Sequence, residues 1–199
     1  MKSARSLSSA VMLAPLLTLM LTAASGAAAP AGLKAGVFDP PRPAPDFSLR
    51  GSDGHELKMS RYHGKVVLLA FGFTSCTAVC PVTLNTFAVA RRKLGREASD
   101  VQVVYVTVDP ERDVPERMSK YLAAFDPSFV GGTGTAADLA AVRKDYGVSA
   151  RKVPTDDGYT YAHSSFTYLI DRTGLIRALM PFGHGPDDYV NDLKILLKE

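Results

Sequence analysis

The feature that most constrains this chain is a run with no polar side chain, Val66-Val67-Leu68-Leu69-Ala70-Phe71, followed one turn later by its only two cysteines, Cys76 and Cys80. A short, continuous apolar run of this composition predicts a strand covered on both faces, as in a mostly parallel or mixed sheet flanked by helices. The helix that follows is expected from about Cys80 to Glu97, since Pro81 is tolerated in a first helical turn. Strand, turn and helix together put both sulfurs beyond the carboxyl end of a central strand, the corner where open α/β sheets bind ligands. Unpaired amides and partial positive charge at a helix start favour a thiolate, which can attack a disulfide or bind a soft metal.

The rest of the chain surrounds that corner. With 199 residues, 46% hydrophobic and 22% charged, it has material for one sizeable core. Met1 to Arg5 is basic, Leu7 to Leu21 is mostly apolar, and Ser25 to Ala29 supplies small residues. Residues 1–29 therefore read as a signal peptide or an uncleaved N-terminal anchor, and export is expected. Losing Lys2 and Arg5 takes the formal charge from +3 to +1, so nothing supports nucleic-acid binding. Residues 30–45, with prolines at 40, 41, 43 and 45, read as a tether or wrapping segment that orders only where it meets the core.

Residues 46–199 are expected to form one domain. Phe47-Ser48-Leu49 and Leu57-Lys58-Met59 flank Gly51 to Gly54 as an N-terminal β-hairpin. Val101 to Asp109 is a second long strand ended by Pro110. Pro115 to Phe125 is a helix, Phe129 to Thr133 a short strand, and Thr135 to Tyr146 a helix stopped by Gly147. Lys152 to Tyr161 reads as a loop or small hairpin, Phe166 to Ile170 and Leu175 to Met180 as an antiparallel pair, and a last helix starts at Asp187 or Asp188. This order is a thioredoxin-like α/β layout: a mixed central sheet flanked by helices, with the hairpin added in front.

Three uses of Cys76 and Cys80 stay open on their spacing alone. A purely structural bridge is allowed in an exported chain, but so short a loop removes little unfolded-state entropy. A dithiol oxidoreductase ordinarily has two residues between its cysteines, whereas Thr77-Ala78-Val79 makes three. Metal binding needs a further ligand, since two thiolates do not complete a site. His55 and His63 fall in a hairpin turn and a link, and His184 in a loop before the last helix. His163 directly precedes the Ser164 to Ile170 strand stretch, and in a thioredoxin-like sheet the entry to that strand faces the cysteine turn. Two thiolates and one imidazole suit Cu(I), or Cu(II) with a further oxygen ligand.

From about Ala44 onward the sequence resembles the SCO/SenC family of copper-binding proteins. The resemblance rests on Phe71-Gly72-Phe73-Thr74, on Cys76-x-x-x-Cys80-Pro81, on Val108-Asp109-Pro110-Glu111-Arg112-Asp113, and on His163 shortly before Tyr168-Leu169-Ile170-Asp171. It implies a thioredoxin-like fold, Cys76, Cys80 and His163 as copper ligands, and Asp109 as a residue that orients the site. It also implies a metallochaperone, exported to the bacterial periplasm or held at the outer face of the inner membrane. Its implied recipient is the binuclear copper site of cytochrome c oxidase subunit II, with a periplasmic copper donor or thiol-disulfide reductase as a further partner. The alternative role is a periplasmic thiol-disulfide reductase acting through the redox pair Cys76 and Cys80. Two positions depart from the family pattern: Thr77 replaces a proline after the first cysteine, and Ala162 replaces an aspartate before the histidine.

Overall fold

The computed structural model describes residues 32–199; the leader expectation for residues 1–29 lies outside them. The apolar run becomes β4 (Val66–Gly72), buried at every position. Ahead of it come β1 (Gly36–Pro43) and the short strands β2 (Leu49–Gly51) and β3 (Glu56–Leu57). After it come α1 (Val79–Leu94), β5 (Val101–Thr107), α2 (Pro115–Ala123), β6 (Val130–Thr133) and α3 (Ala136–Tyr146). The chain continues as β7 (Ala150–Thr155), β8 (Gly158–His163), β9 (Phe166–Ile170), β10 (Leu175–Pro181) and α4 (Pro186–Leu196).

Eight strands form one sheet in the order β1-β10-β9-β4-β5-β6-β2-β3, and β7 and β8 pair separately. β4, β5 and β6 run parallel, with Ala70 beside Tyr105 and Tyr105 beside Gly131. β9 is antiparallel to β4, so the chain reverses where it passes the cysteine turn. This is the thioredoxin-like mixed sheet expected from the element order, with the β2–β3 hairpin added at its far edge.

Helices cover both faces because the central strands have no polar face to expose. α1 packs with α4, where Phe87 meets Tyr189 edge-on at 5.2 Å. α2 lies over β6, close enough that a side chain on Gly131 would run into Met118 and Leu122. On the opposite face α3 brings Tyr146 against Phe71 and Tyr168, and the Tyr168 hydroxyl donates to the Tyr146 carbonyl at 2.5 Å. Gly147 ends α3 at φ +70, a conformation that costs a residue without a Cβ little.

Two segments are more regular than their sequences suggest. The Pro-rich stretch contributes the edge strand β1, paired to β10 through Gly36, Val37, Arg42 and Pro43 with the register broken between Val37 and Arg42. Proline is acceptable there because an edge strand has an unpaired side. The fully buried carboxylate of Asp192 on α4 accepts from the amides of Lys34 and Ala35, which anchors the start of this segment. The polar stretch at 152–161 belongs to the β7–β8 hairpin, so of the loop or small hairpin expected for it the hairpin is the form adopted.

A candidate copper site at the cysteine turn

The turn from Phe73 to Val79 is held from beneath by a buried carboxylate. Asp113, fully buried, accepts the Thr74 amide at 3.0 Å, the Thr74 hydroxyl at 2.5 Å and the Thr107 hydroxyl at 2.6 Å. Arg117 in turn donates to the hydroxyls of Thr74 and Ser75. The chain entering Cys76 is therefore fixed to the ends of both β4 and β5.

Past the turn, α1 starts at Val79 with no side chain capping its first amides. The Cys76 sulfur takes that place. A hydrogen bond from the Cys80 thiol, together with the backbone N–H groups of Cys80, Ala78 and Val79, lowers the Cys76 pKa to about 5. Cys76 is half-buried and Cys80 buried, and both are free cysteines. The same sulfur–sulfur hydrogen bond, reinforced by burial, pushes Cys80 far upward, so the pair holds one thiolate and one thiol at neutral pH. Alkylation should show the asymmetry. The rate at Cys76 is expected to hold its plateau from neutral pH down to about 6 and to halve near pH 5, with Cys80 reacting far more slowly. A midpoint near the ordinary thiol value of about 8.5 in mass-resolved alkylation would contradict this.

His163 closes the site from the other side. It is the last residue of β8, and its Nε2 lies 3.8 Å from the Cys80 sulfur. Its Nδ1 lies 2.8 Å from the Ser164 carbonyl, an oxygen that only accepts, so Nδ1 carries the proton and Nε2 presents a lone pair toward Cys80. A backbone carbonyl holding the distal nitrogen is the usual arrangement behind a metal-binding imidazole. Phe73 packs edge-on to the ring at 5.9 Å and also against Tyr161, which limits its swing.

Asp109 acts near the turn of the β7–β8 hairpin, at the end away from His163. Fully buried, it pairs with Arg112 and accepts the Tyr159 hydroxyl at 3.0 Å, and neither sulfur is among its hydrogen-bond partners. Arg112 stacks over the Tyr159 ring at 3.9 Å and donates to the Tyr159 carbonyl at 3.1 Å. Lys152 adds an exposed pair with Glu111. Asp109 thus reaches the site through the β7–β8 hairpin that carries His163.

The structure therefore brings Cys80 and His163 into contact and sets Cys76 beside Cys80. Among the described residues no three His, Cys, Asp or Glu side chains already converge tightly enough to hold a metal ion. Two sulfurs and an imidazole nitrogen are nevertheless donors that suit copper, and the half-buried Cys76 is the one that would close on it. His55 and His63 are exposed, away from the turn. His184, bonded to Asp188 at 3.0 Å, lines the same cavity of about 260 Å³ as Cys80 and His163. The departures Thr77 and Ala162 are both exposed beside the site, and neither removes a donor.

The SCO1/SenC family profile matches residues 39–198. The chain belongs to the SCO1/SenC family. An SCO2-like protein of Rickettsia conorii is 37% identical over 132 residues, covering 65% of this chain and 64% of that protein, so the chain spans somewhat under two thirds of this relative's length. The structure of Bradyrhizobium japonicum ScoI with copper bound aligns at a TM-score of 0.72 with 37% identity, covering 77% of this chain and 98% of the other. Yeast Sco1 with copper bound aligns at 0.71 with 28% identity, covering 80% and 90%. These neighbours bear out the thioredoxin-like fold.

Residues that sequence reading passed over complete the site. Asp113, Thr74 and Gly72 had only family-like segments to mark them. Tyr105, which meets Gly72 beneath Cys80, sits inside a run read simply as a strand.

Proposed function

We propose that this protein carries copper on Cys76, Cys80 and His163 and delivers it to the binuclear copper site of cytochrome c oxidase subunit II. The observation that carries the reading is the approach of His163 Nε2 to the Cys80 sulfur with Nδ1 already engaged, which leaves one lone pair facing a thiol beside a thiolate. Family membership and the copper held by B. japonicum ScoI and yeast Sco1 support it. The cargo can be Cu(I) on the three protein donors, or Cu(II) with an added oxygen ligand. With Cys76 half-buried, an incoming ligand can bind the ion before a protein ligand leaves, so copper passes on without being released. The working unit is the domain that begins with the anchored segment at Lys34 and β1 and runs to Glu199. It is exported behind the leader at 1–29, and acts in the periplasm or at the outer face of the inner membrane. Among the described residues no helix is long and apolar enough to cross a membrane.

The unequal thiols favour a second reading, thiol-disulfide exchange on the recipient. The Cys76 thiolate would attack a partner disulfide and expel one partner thiolate. Cys80, giving its proton to the His163 Nε2 at 3.8 Å, would then attack the Cys76 sulfur and expel the second. A periplasmic reductase would restore the dithiol, and a periplasmic donor would reload copper.

The two readings separate in one experiment. Reduced, copper-loaded protein is mixed with a reduced apo copper domain of subunit II, and metal-free protein with the same domain oxidised. Transfer of copper in the first mixture, with two sulfurs and one nitrogen around the donor copper by X-ray absorption, is the expected result. Disulfide reduction in the second mixture without copper transfer in the first would replace the chaperone reading.

A further inference from the structure

A buried hydroxyl beneath the site has no hydrogen-bond partner. Tyr105, 1% exposed on central strand β5, ends in a hydroxyl that no nitrogen or oxygen satisfies. Such a group normally costs about 1–3 kcal/mol, so it is kept where something compensates.

What lies beside it is sulfur. A Cβ built on Gly72 would stand 2.0 Å from the Tyr105 hydroxyl oxygen and 2.8 Å from the Cys80 sulfur, so both atoms converge on the space that glycine leaves empty. Gly72 therefore opens a slot through which the tyrosine reaches the cysteine. Tyr105, Cys80 and His163 also line one cavity. A thiol is a poor acceptor, whereas a thiolate is a strong one.

We propose that the Tyr105 hydroxyl is the internal hydrogen-bond donor to the Cys80 sulfur whenever that sulfur carries negative charge, as a copper ligand or as an attacking thiolate. Tyr105 is thus a positioning and tuning residue that acts through Cys80. The donor is satisfied in the charged state and idle in the thiol state, so it stabilises the working form of Cys80 selectively. By drawing charge from the sulfur it also weakens donation into Cu(II) and raises the energy of the sulfur-to-copper transition.

The copper-bearing half of this inference rests on the proposed function; the thiolate half does not. Tyr105→Phe removes the oxygen and keeps the ring, and two measurements read it. In metal-free protein, with Cys76 first made a mixed disulfide with glutathione, Cys80 displaces glutathione thiolate and forms the Cys76–Cys80 disulfide. That step is expected to slow about threefold, because the sulfur bears its charge only as it attacks. In copper-binding protein the Cu(I) affinity is expected to fall about tenfold, the equivalent of about 1.4 kcal/mol and at the low end for hydrogen bonds to charged groups, and the sulfur-to-Cu(II) band to move to longer wavelength.

An unchanged resolution rate overturns the proposal, as does an affinity loss with an unmoved band, which would be packing alone. Tyr121 on α2 is another residue whose buried hydroxyl is unpartnered. Equal effects from Tyr121→Phe would assign the tuning to general polarity and overturn the role given to Tyr105. A wild-type protein that takes up no copper sinks the chaperone reading and leaves the resolution rate to decide this one.

Discussion

Alanine in place of His163 is expected to weaken copper binding by at least about a hundredfold while the protein stays folded. Loss of a partner that merely orients a ligand already costs 10–100-fold in metal affinity, and among the described residues His163 is the one nitrogen donor brought against the sulfurs. The fold should survive because the imidazole lies at the end of β8, half-exposed, outside the main sheet. What is lost there is one hydrogen bond to the Ser164 carbonyl and one edge-on contact with Phe73, about 1 kcal/mol. Asp109→Asn should give a smaller loss, about tenfold, because Arg112 and Tyr159 would keep part of their grip on the hairpin. Competition titration with a Cu(I) chelator measures both. Unchanged affinity in the His163 variant would remove that residue from the ligand set and leave Cys80 and Cys76 with a nitrogen from elsewhere.

His163 was legible in the sequence for a topological reason, and the groups supporting it were not. A buried apolar strand followed by cysteines fixes one side of the site, and the antiparallel return at β9 fixes the other, so the residues just before Phe166 have to pass the cysteine turn. That argument needs only element order, which the apolar runs at 66–71, 101–108 and 166–170 report well. The strand β1 is obscured because its prolines suggest irregular chain, and only its pairing with β10 reveals how an edge absorbs them. The β7–β8 hairpin shows no alternation because it has no buried face of its own. Its place is set instead by Asp109 and Arg112 meeting Tyr159, 50 and 47 positions further along the chain, which local pattern does not announce. Tyr105 is hidden for the opposite reason: a tyrosine among valines is a good strand residue, and its hydroxyl matters only because Gly72 leaves room for it.

Joining Cys76 to Cys80 is expected to abolish copper uptake entirely, a larger effect than any single substitution. Forming the bond consumes both sulfur donors, sends two electrons to the oxidant, and leaves His163 as the one remaining member of the proposed ligand set. The reaction is well prepared, since the neighbouring Cys80 sulfur and the amides at the start of α1 hold the Cys76 pKa down to about 5. Oxidised protein should therefore take up no copper in equilibrium dialysis, and one equivalent should return after reduction with a phosphine and its removal. The coupling also runs the other way, because the proposed ligand set exists only in the dithiol form: free Cu(I) at a hundred times its Kd should suppress oxidation about a hundredfold, or about 2.7 kcal/mol. Whole-protein mass spectrometry after timed exposure to oxidised glutathione reads this directly. One equivalent of copper on the oxidised protein, or oxidation at the same rate with and without copper, would show that the metal rests on other donors and that Cys76 and Cys80 serve exchange chemistry alone.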